Sequence, residues 1–414
     1  MEKTVQHNHN EHTFIYSLSI FFERASYYGF RSLLVLYMIG ETIKMPREEA
    51  FKIYGWFTIC FVLSKIIGAI VGDLIIGNKK AWVLGGIIQA IGIFSLCIPN
   101  ITGIYIGLAV IVIGNGLFSP NMTSQYGKLY LNKTKLLDSA FAIFYLMINL
   151  GSFIGVAIIS YIGEKYNMSL GLILAGIFAV ISIIFPLLVK QPNAQKLDQK
   201  ITSTNQNVIN ILKIITVSIL VAIFWTLYEV SSVKIFDIQI QLKEFSLYQA
   251  IPASIWSSLN FIFIIPITII VIFIWLYFYK SQFLKLAIGF ISGTIAFAIL
   301  LLIPDTVSET TLILYLTSLL FLNISEIHIA PILYSILIKY SNPKYLAIII
   351  SIAFVPIKLF SLIITPFNEY LNSNSSFTLI LTMVVMFLIS ISLVIAILIS
   401  KNMSKKEAVT STIK

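Results

Sequence analysis

Twelve apolar stretches, each close to or above the roughly 20 residues that a helix needs to cross a bilayer, follow one another through this chain. They lie near residues 14–39, 51–77, 81–99, 102–123, 139–161 and 168–189, then near 208–234, 250–279, 284–304, 311–338, 345–370 and 377–400. The third is the shortest. Of the 414 residues, 58% are hydrophobic and 11% charged, and a water-soluble fold of this length cannot hide so much apolar surface. The bilayer must be the solvent. The one long polar stretch, residues 190–206, divides six apolar segments from six. The expected fold is an all-α membrane protein with twelve transmembrane helices in two six-helix bundles, residues 1–189 and 207–414, joined by a linker over 190–206.

Lysine and arginine placement orients these segments. Of the 28, 18 fall in loops and tails on one side and six on the other, with Arg24, Arg31, Lys65 and Lys358 inside the spans. That asymmetry predicts a multi-pass protein of the plasma membrane with both termini cytoplasmic. The net charge of +10 does not point to nucleic acid, because the lysines come singly or in pairs with no basic stripe of interleaved aromatics. Cys60 and Cys97 lie in apolar runs, which argues against a disulfide or a metal site. His7, His9 and His12 belong to a polar N-terminal tail, read as disordered. The first apolar segment is too long, and too charged inside, for a cleavable signal peptide. Gly85-Gly86 and Gly114-Asn115-Gly116 lack the strand–helix context of a phosphate loop and predict close helix contacts.

Three full charges, Glu23, Arg24 and Arg31, sit inside the first apolar run. A charge at bilayer depth costs roughly 3 kcal/mol even on lenient scales, so a chain keeps one for a partner, a cavity or a translocated solute. Glu23, Tyr27 and Arg31 recur every four residues on one helical face, and Arg24, Tyr28 and Arg31 form an overlapping stripe. The arginines are about 10 Å apart along the axis, a reach that suits a small zwitterion in a water-filled cleft. Arg31 is the candidate for holding a substrate carboxylate, since guanidinium pairs bidentately and never loses its charge. Its alternative is a structural ion pair with Glu23 or Glu229. Glu23 and Arg24 either neutralise each other or pair across helices.

Glu229 lies in the outer half of the seventh segment, with Trp225 and Ser232 on its face. A desolvated carboxylate beside an arginine can exchange its salt bridge for a proton, which makes Glu229 the first choice for coupling and for an outer gate. A fixed interhelical bridge is the alternative. Glu326 is mid-depth in the tenth segment, and His328 is about 200° round the helix from it, so His328 reads as a packed histidine. Lys65 and Lys358 each sit about 14 residues into a span, near mid-membrane. No nucleophile, metal cluster or acid pair at mid-depth suggests an enzyme.

Two six-helix halves with a cytoplasmic linker resemble the major facilitator architecture, with a substrate site between the halves. Gly72-Asp73 followed by Gly77-Asn78-Lys79-Lys80 resembles that superfamily's loop signature, an acid and following bases that latch neighbouring helices on the cytoplasmic side. More narrowly, FFERASYYGFR resembles the first-helix signature E-x-x-E-R-F-x-Y-Y-G of the proton-dependent oligopeptide transporter (POT) family. GLFSPNMTSQYGKLY, SAFAIFYLMINLGSFIG, FWTLYEVSS, IPASIWSSLNFIFIIP and ISEIHIAPILYSIL resemble its fourth, fifth, seventh, eighth and tenth helices in order.

The resemblance implies a secondary transporter for di- and tripeptides, driven by protons, working by alternating access, with no other cofactor. Small peptides and membrane lipid are its partners, nucleic acid is not, and the working unit is a monomer. It makes Glu326 the group facing a peptide's amino terminus, and it puts Asn149 and Asn260 at positions that bind peptide backbone. Either asparagine could instead be interhelical glue, and Tyr27, Tyr28 and Trp256 could line the site or simply pack. Three features depart from the family: Ile20 stands for its first glutamate, Ser119 for its fourth-helix lysine, and the linker has no room for two extra helices. The first two leave open a carrier for amino acids or small organic anions without proton coupling. Without that lysine Glu326 needs another cation. Lys65, followed by Lys358, is expected to supply it, the alternative being that both side chains snorkel to water.

Overall fold

The computed structural model describes residues 8–189, 204–244, 253–278, 280–304 and 308–412. Helices α1 (His12–Ile39), α2 (Arg47–Ile70), α3 (Asn78–Ser95), α4 (Ile101–Lys128), α5 (Leu137–Gly155), α6 (Tyr161–Lys165) and α7 (Met168–Leu188) make up the first half. There follow α8 (Thr204–Glu244), α9 (Ala253–Tyr277), α10 (Gln282–Leu301), α11 (Glu309–Tyr340), α12 (Leu346–Ala353), α13 (Val355–Ile364), α14 (Asn368–Ser373) and α15 (Ser375–Thr412). Wider π turns over Val71–Ile76 and Val156–Ser160 extend α2 and α5. No strand occurs among the described residues. A helix suits lipid because it satisfies its backbone groups within itself. Most of the predicted linker lies outside the described residues, as does the side chain of Trp256.

Ten helical stretches among the described residues are long and apolar enough to cross a membrane, against the twelve expected. The two that fall short are α1 and α3. α1 carries Glu23, Arg24 and Arg31, and α3 is 18 residues long and begins with Lys79 and Lys80. Polar content, not loss of helix, separates them from the rest.

By internal contacts the chain divides into two units, Met1–Ile215 with Leu337–Ala353, and Thr216–Ile336 with Phe354–Lys414. In the first, α1 packs on α5 and α7, α3 along α4 and α7, and α2 and α12 against α4. Lipid offers no hydrophobic force between helices, so close packing and interhelical hydrogen bonds must hold them. The glycine pairs serve that purpose. A methyl group on Gly85 would come 2.7 Å from the Gly114 carbonyl, and one on Gly92 2.7 Å from the Ile111 nitrogen. Ser19 and Ser26 of α1 donate to the Ser182 and Ala175 carbonyls of α7 at 2.6 and 2.7 Å. In the second unit, Ser231 and Thr382 are hydrogen-bonded at 2.9 Å, and Gln282 donates to Ser335 at 2.6 Å.

Two sequence readings are corrected here. The described part of the N-terminal tail, expected to be disordered, packs against the first unit. His12 opens α1, and the His9 ring lies 2.8 Å from the Tyr130 hydroxyl and 3.4 Å from that of Ser139. Burial first, and then the neighbouring Lys133, lower the pKa of His9 from its ordinary value. His7 lies outside the described residues. Lys285, counted with the loop lysines, is instead buried in the first turn of α10, its Nζ 4.3 Å from the centre of the Trp275 ring. The chain's length of lysine stem allows this, because its methylenes pack as apolar surface. His328 packs edge-on to Trp275 at 5.4 Å, with Nδ1 2.8 Å from the Ile324 carbonyl, the packed histidine its position predicts.

Candidate functional site

The charges of α1 meet partners from three other helices of the first unit. Glu23 is 1% exposed. Its Oε2 accepts from Arg24 Nε at 2.6 Å, and its Oε1 accepts from Gln89 of α3 at 3.1 Å and Asn115 of α4 at 3.4 Å. Both amides turn their nitrogens to the carboxylate, as an acceptor-only group demands, and their carbonyl oxygens have no hydrogen-bond partner among the described residues. The convergence depends on the glycines described above, since a side chain on Gly114 would strike the Gln89 backbone.

One turn further along α1, the Tyr27 ring lies between two guanidinium groups, 5.4 Å from that of Arg24 and 5.8 Å from that of Arg31. Tyr27 stacks on Phe61 at 4.6 Å, and Phe61 in turn carries the Lys65 ammonium 5.2 Å from its centre. Arg31 Nε donates to the Tyr54 hydroxyl, with the guanidinium 5.5 Å from the Tyr54 ring. Stacked cations of this kind gain about 0.5–2 kcal/mol each and tolerate partial burial. Arg31 is half-buried, and its two terminal nitrogens make no hydrogen bond among the described residues. Its fork is therefore fixed at one edge and open at the other, the arrangement that receives a carboxylate. Tyr28 packs edge-on against Tyr27 at 5.1 Å. Asn149 stays outside this network, its amide donating to Tyr145 of its own helix at 3.0 Å.

In the second unit Glu326 is 7% exposed on α11, and Tyr228 of α8 lies within electrostatic reach of it. Glu229, the next residue on α8, is exposed and makes no ion pair among the described residues. Its backbone carbonyl accepts from Ser232 at 2.6 Å. Asn260 is half-buried on α9 and Lys358 exposed on α13. No group of three or more potential metal ligands occurs among the described residues.

The loop signature after α2 forms a polar cluster. Gly77 adopts a φ of +86°, which lets the π turn end and α3 begin. Asn78 donates to Asp73 and to Asn121, both at 2.7 Å, and Lys128 donates to Asn78 at 2.6 Å. The other Asp73 oxygen accepts the Ile348 backbone N–H at 2.9 Å, a carboxylate at the N-terminus of α12, where the helix dipole favours it. Lys79 donates to the Val189 carbonyl at the end of α7.

Sequence reasoning missed Gln89, Tyr54 and Phe61, and treated Asn115 only as a helix contact. Lone amides in otherwise apolar spans were the available signal for Gln89 and Asn115. For the others it was the spacing of Tyr54, Phe61 and Lys65, which lie seven and eleven residues apart on one face of α2.

Residues 79–199 match the sequence model of the POT family. A di-/tripeptide transporter of Lactococcus lactis subsp. lactis (strain IL1403) is 31% identical over 229 residues, covering 51% of this chain and 45% of that protein. Dipeptide and tripeptide permease B of Photorhabdus luminescens is 37% identical over 166 residues, 39% of this chain and 34% of that protein. These matches thus span less than half the length of the curated relatives. Among solved structures, the peptide transporter POT in complex with sulfate has a TM-score of 0.61 at 20% identity, covering 93% of this chain and 95% of that one. A POT family transporter in complex with a thioalcohol-conjugated peptide has a TM-score of 0.62 at 20% identity, covering 92% and 95%. At that identity the likeness establishes the fold alone, an all-helical architecture with many helices long and apolar enough to cross a membrane.

Proposed function

We propose that this chain, a relative of the POT family of peptide transporters, is a proton-coupled symporter of di- and tripeptides that works by alternating access. In this reading α1 and α3 complete twelve spans, residues 1–189 and 207–414 form the two moving halves, and the monomer sits in the cytoplasmic membrane with both termini inside. The observation that carries the reading is the Arg31 guanidinium, permanently charged, seated against Tyr27 and Tyr54 with its fork open. A solute with a carboxylate satisfies it. Glu326, the buried acid of the second unit, would receive the ammonium end, and Glu229 would exchange its proton during the cycle. A second reading, a carrier of amino acids or small organic anions without proton coupling, is favoured by Ile20 and Ser119, which stand where the family has ionisable groups.

Uptake of labelled dialanine into proteoliposomes separates the two. The expected result is accumulation under an inward proton gradient, abolished by a protonophore. Glu229→Gln should lose that accumulation and keep exchange of peptide for peptide, since glutamine retains size and hydrogen bonding without titrating. Dialanine flux indifferent to the gradient, in the unmodified protein, would favour the second reading.

The same reading gives Lys65 the task of balancing Glu326 in place of the absent fourth-helix lysine. Lys65→Ala and Glu326→Gln are each expected to lower uptake by about tenfold or more, and the double variant should lose little beyond either single one. Additive losses would separate the two residues and leave Lys358 to be tested in the same cycle.

A further inference from the structure

A cavity of about 220 Å³ lies wholly within the second unit, between α8 on one side and α13 with α14 on the other. Its polar lining is Thr226 and Glu229 from α8, and Ser361, Thr365, Asn368 and Asn372 from the facing helices. The spacings, three residues on α8 and four, three and four on the opposite strand of helix, put each set on a single face. Each of these groups carries an acceptor oxygen, and the Asn368 and Asn372 amides and the Ser361 hydroxyl bring donors as well. The Thr226 hydroxyl donates to the Ala222 carbonyl and that of Thr365 to the Ser361 carbonyl, both at 2.8 Å, so each presents oxygen lone pairs to the cavity. The Glu229 carboxylate adds more, and it has no ion-pair partner among the described residues. Among the described residues no cation lines the space. Lys234 lines an adjoining, much smaller recess that shares Asn372 with this cavity.

An acceptor-rich cavity with one unbalanced carboxylate is complementary to a group with several donors and a positive charge. A primary ammonium has three N–H donors and no acceptor. The volume is several times the roughly 30 Å³ that a water molecule takes in the liquid, enough for the ammonium with the first atoms attached to it. We propose that this cavity is a subsite for the α-ammonium group of the solute at an outer stage of its passage, with Glu229 as counter-charge and Thr365, Asn368 and Asn372 as hydrogen-bond acceptors. The identity of the solute rests on the transport reading above; the preference for an ammonium group does not. The subsite is separate from Glu326, which is buried on α11 and does not line this cavity.

Cysteine mapping on the full chain tests the assignment. In a Cys60→Ala, Cys97→Ala background, Asn368→Cys is treated with aminoethyl and sulfonatoethyl methanethiosulfonates, alone and with Glu229→Gln. The ratio of cationic to anionic reaction rates is expected to fall by about tenfold when Glu229 is neutralised, the effect of removing one nearby charge. Dialanine should slow the cationic reagent, and N-acetyl-dialanine, which has no ammonium group, should not. An unchanged ratio, or equal protection by both peptides, overturns the subsite. A falling ratio without protection by dialanine overturns its link to the solute. Thr365→Cys gives the same readout if the first variant does not fold, and dialanine flux in the unmodified protein judges the transport reading independently.

Discussion

Arg31→Ala should reduce dialanine uptake by about 100-fold or more while the protein still inserts and folds. The magnitude follows from chemistry: each charge-assisted hydrogen bond to a carboxylate is worth about 1.5–3 kcal/mol, and a bidentate fork makes two. The fold should survive because Arg31 is half-buried and its contacts are one hydrogen bond to Tyr54 and two stacked rings. Tyr27 keeps its stack on Phe61 when Arg31 is removed, and Tyr54 can turn its hydroxyl to water. Arg31→Lys is the sharper control. Lysine retains charge but cannot hold Tyr54 by Nε and present two further parallel donors, so it should recover only a minor part of the uptake. Near-normal transport by a correctly inserted Arg31→Ala protein would remove this residue from the binding site.

The helices, and the cluster of charged residues on α1, were legible because a membrane makes hydropathy and charge unusually informative. Glu23, Arg24 and Arg31 are conspicuous in the first apolar run, and their spacing alone puts Tyr27 on the same face. The sequential pairing of Arg24 with Glu23 was also within reach, since no other arrangement is as local. What could not be read were the partners that tertiary packing brings in. Gln89 and Asn115 reach Glu23 only because glycines let α3 and α4 approach, and Tyr54 meets Arg31 across two helices. Lys285 misled for a different reason: at a segment boundary, a lysine in a loop and a lysine folded over Trp275 have the same sequence signature. His9 was misread because polar composition predicts a tail, whereas Ser139 and Tyr130, the latter hydrogen-bonded to Thr13, provide a seat for it that only the fold creates.

Glu23→Ala is expected to damage the protein more than any other single change described. It removes the counter-charge of Arg24, whose side chain is only 11% exposed, and deprives Gln89 and Asn115 of the oxygen to which both amides point. Breaking a buried pair by deleting one partner costs about 3–5 kcal/mol, because the surviving charge stays desolvated. For a unit of this size that corresponds to a fall in Tm on the order of 10 °C in detergent, with lower recovery of monodisperse protein. Replacing both partners gives the opposite expectation for stability. Glu23→Leu with Arg24→Met removes the two charges together and fills similar volume, so much of the lost Tm should return. Transport should not return with it, because Arg24 then no longer lies against Tyr27, and the ring that supports Arg31 loses one of its two flanking cations. A Glu23→Ala protein as stable as the parent would show that the pair is not structural. Full transport by the apolar double variant would show that it is structural only.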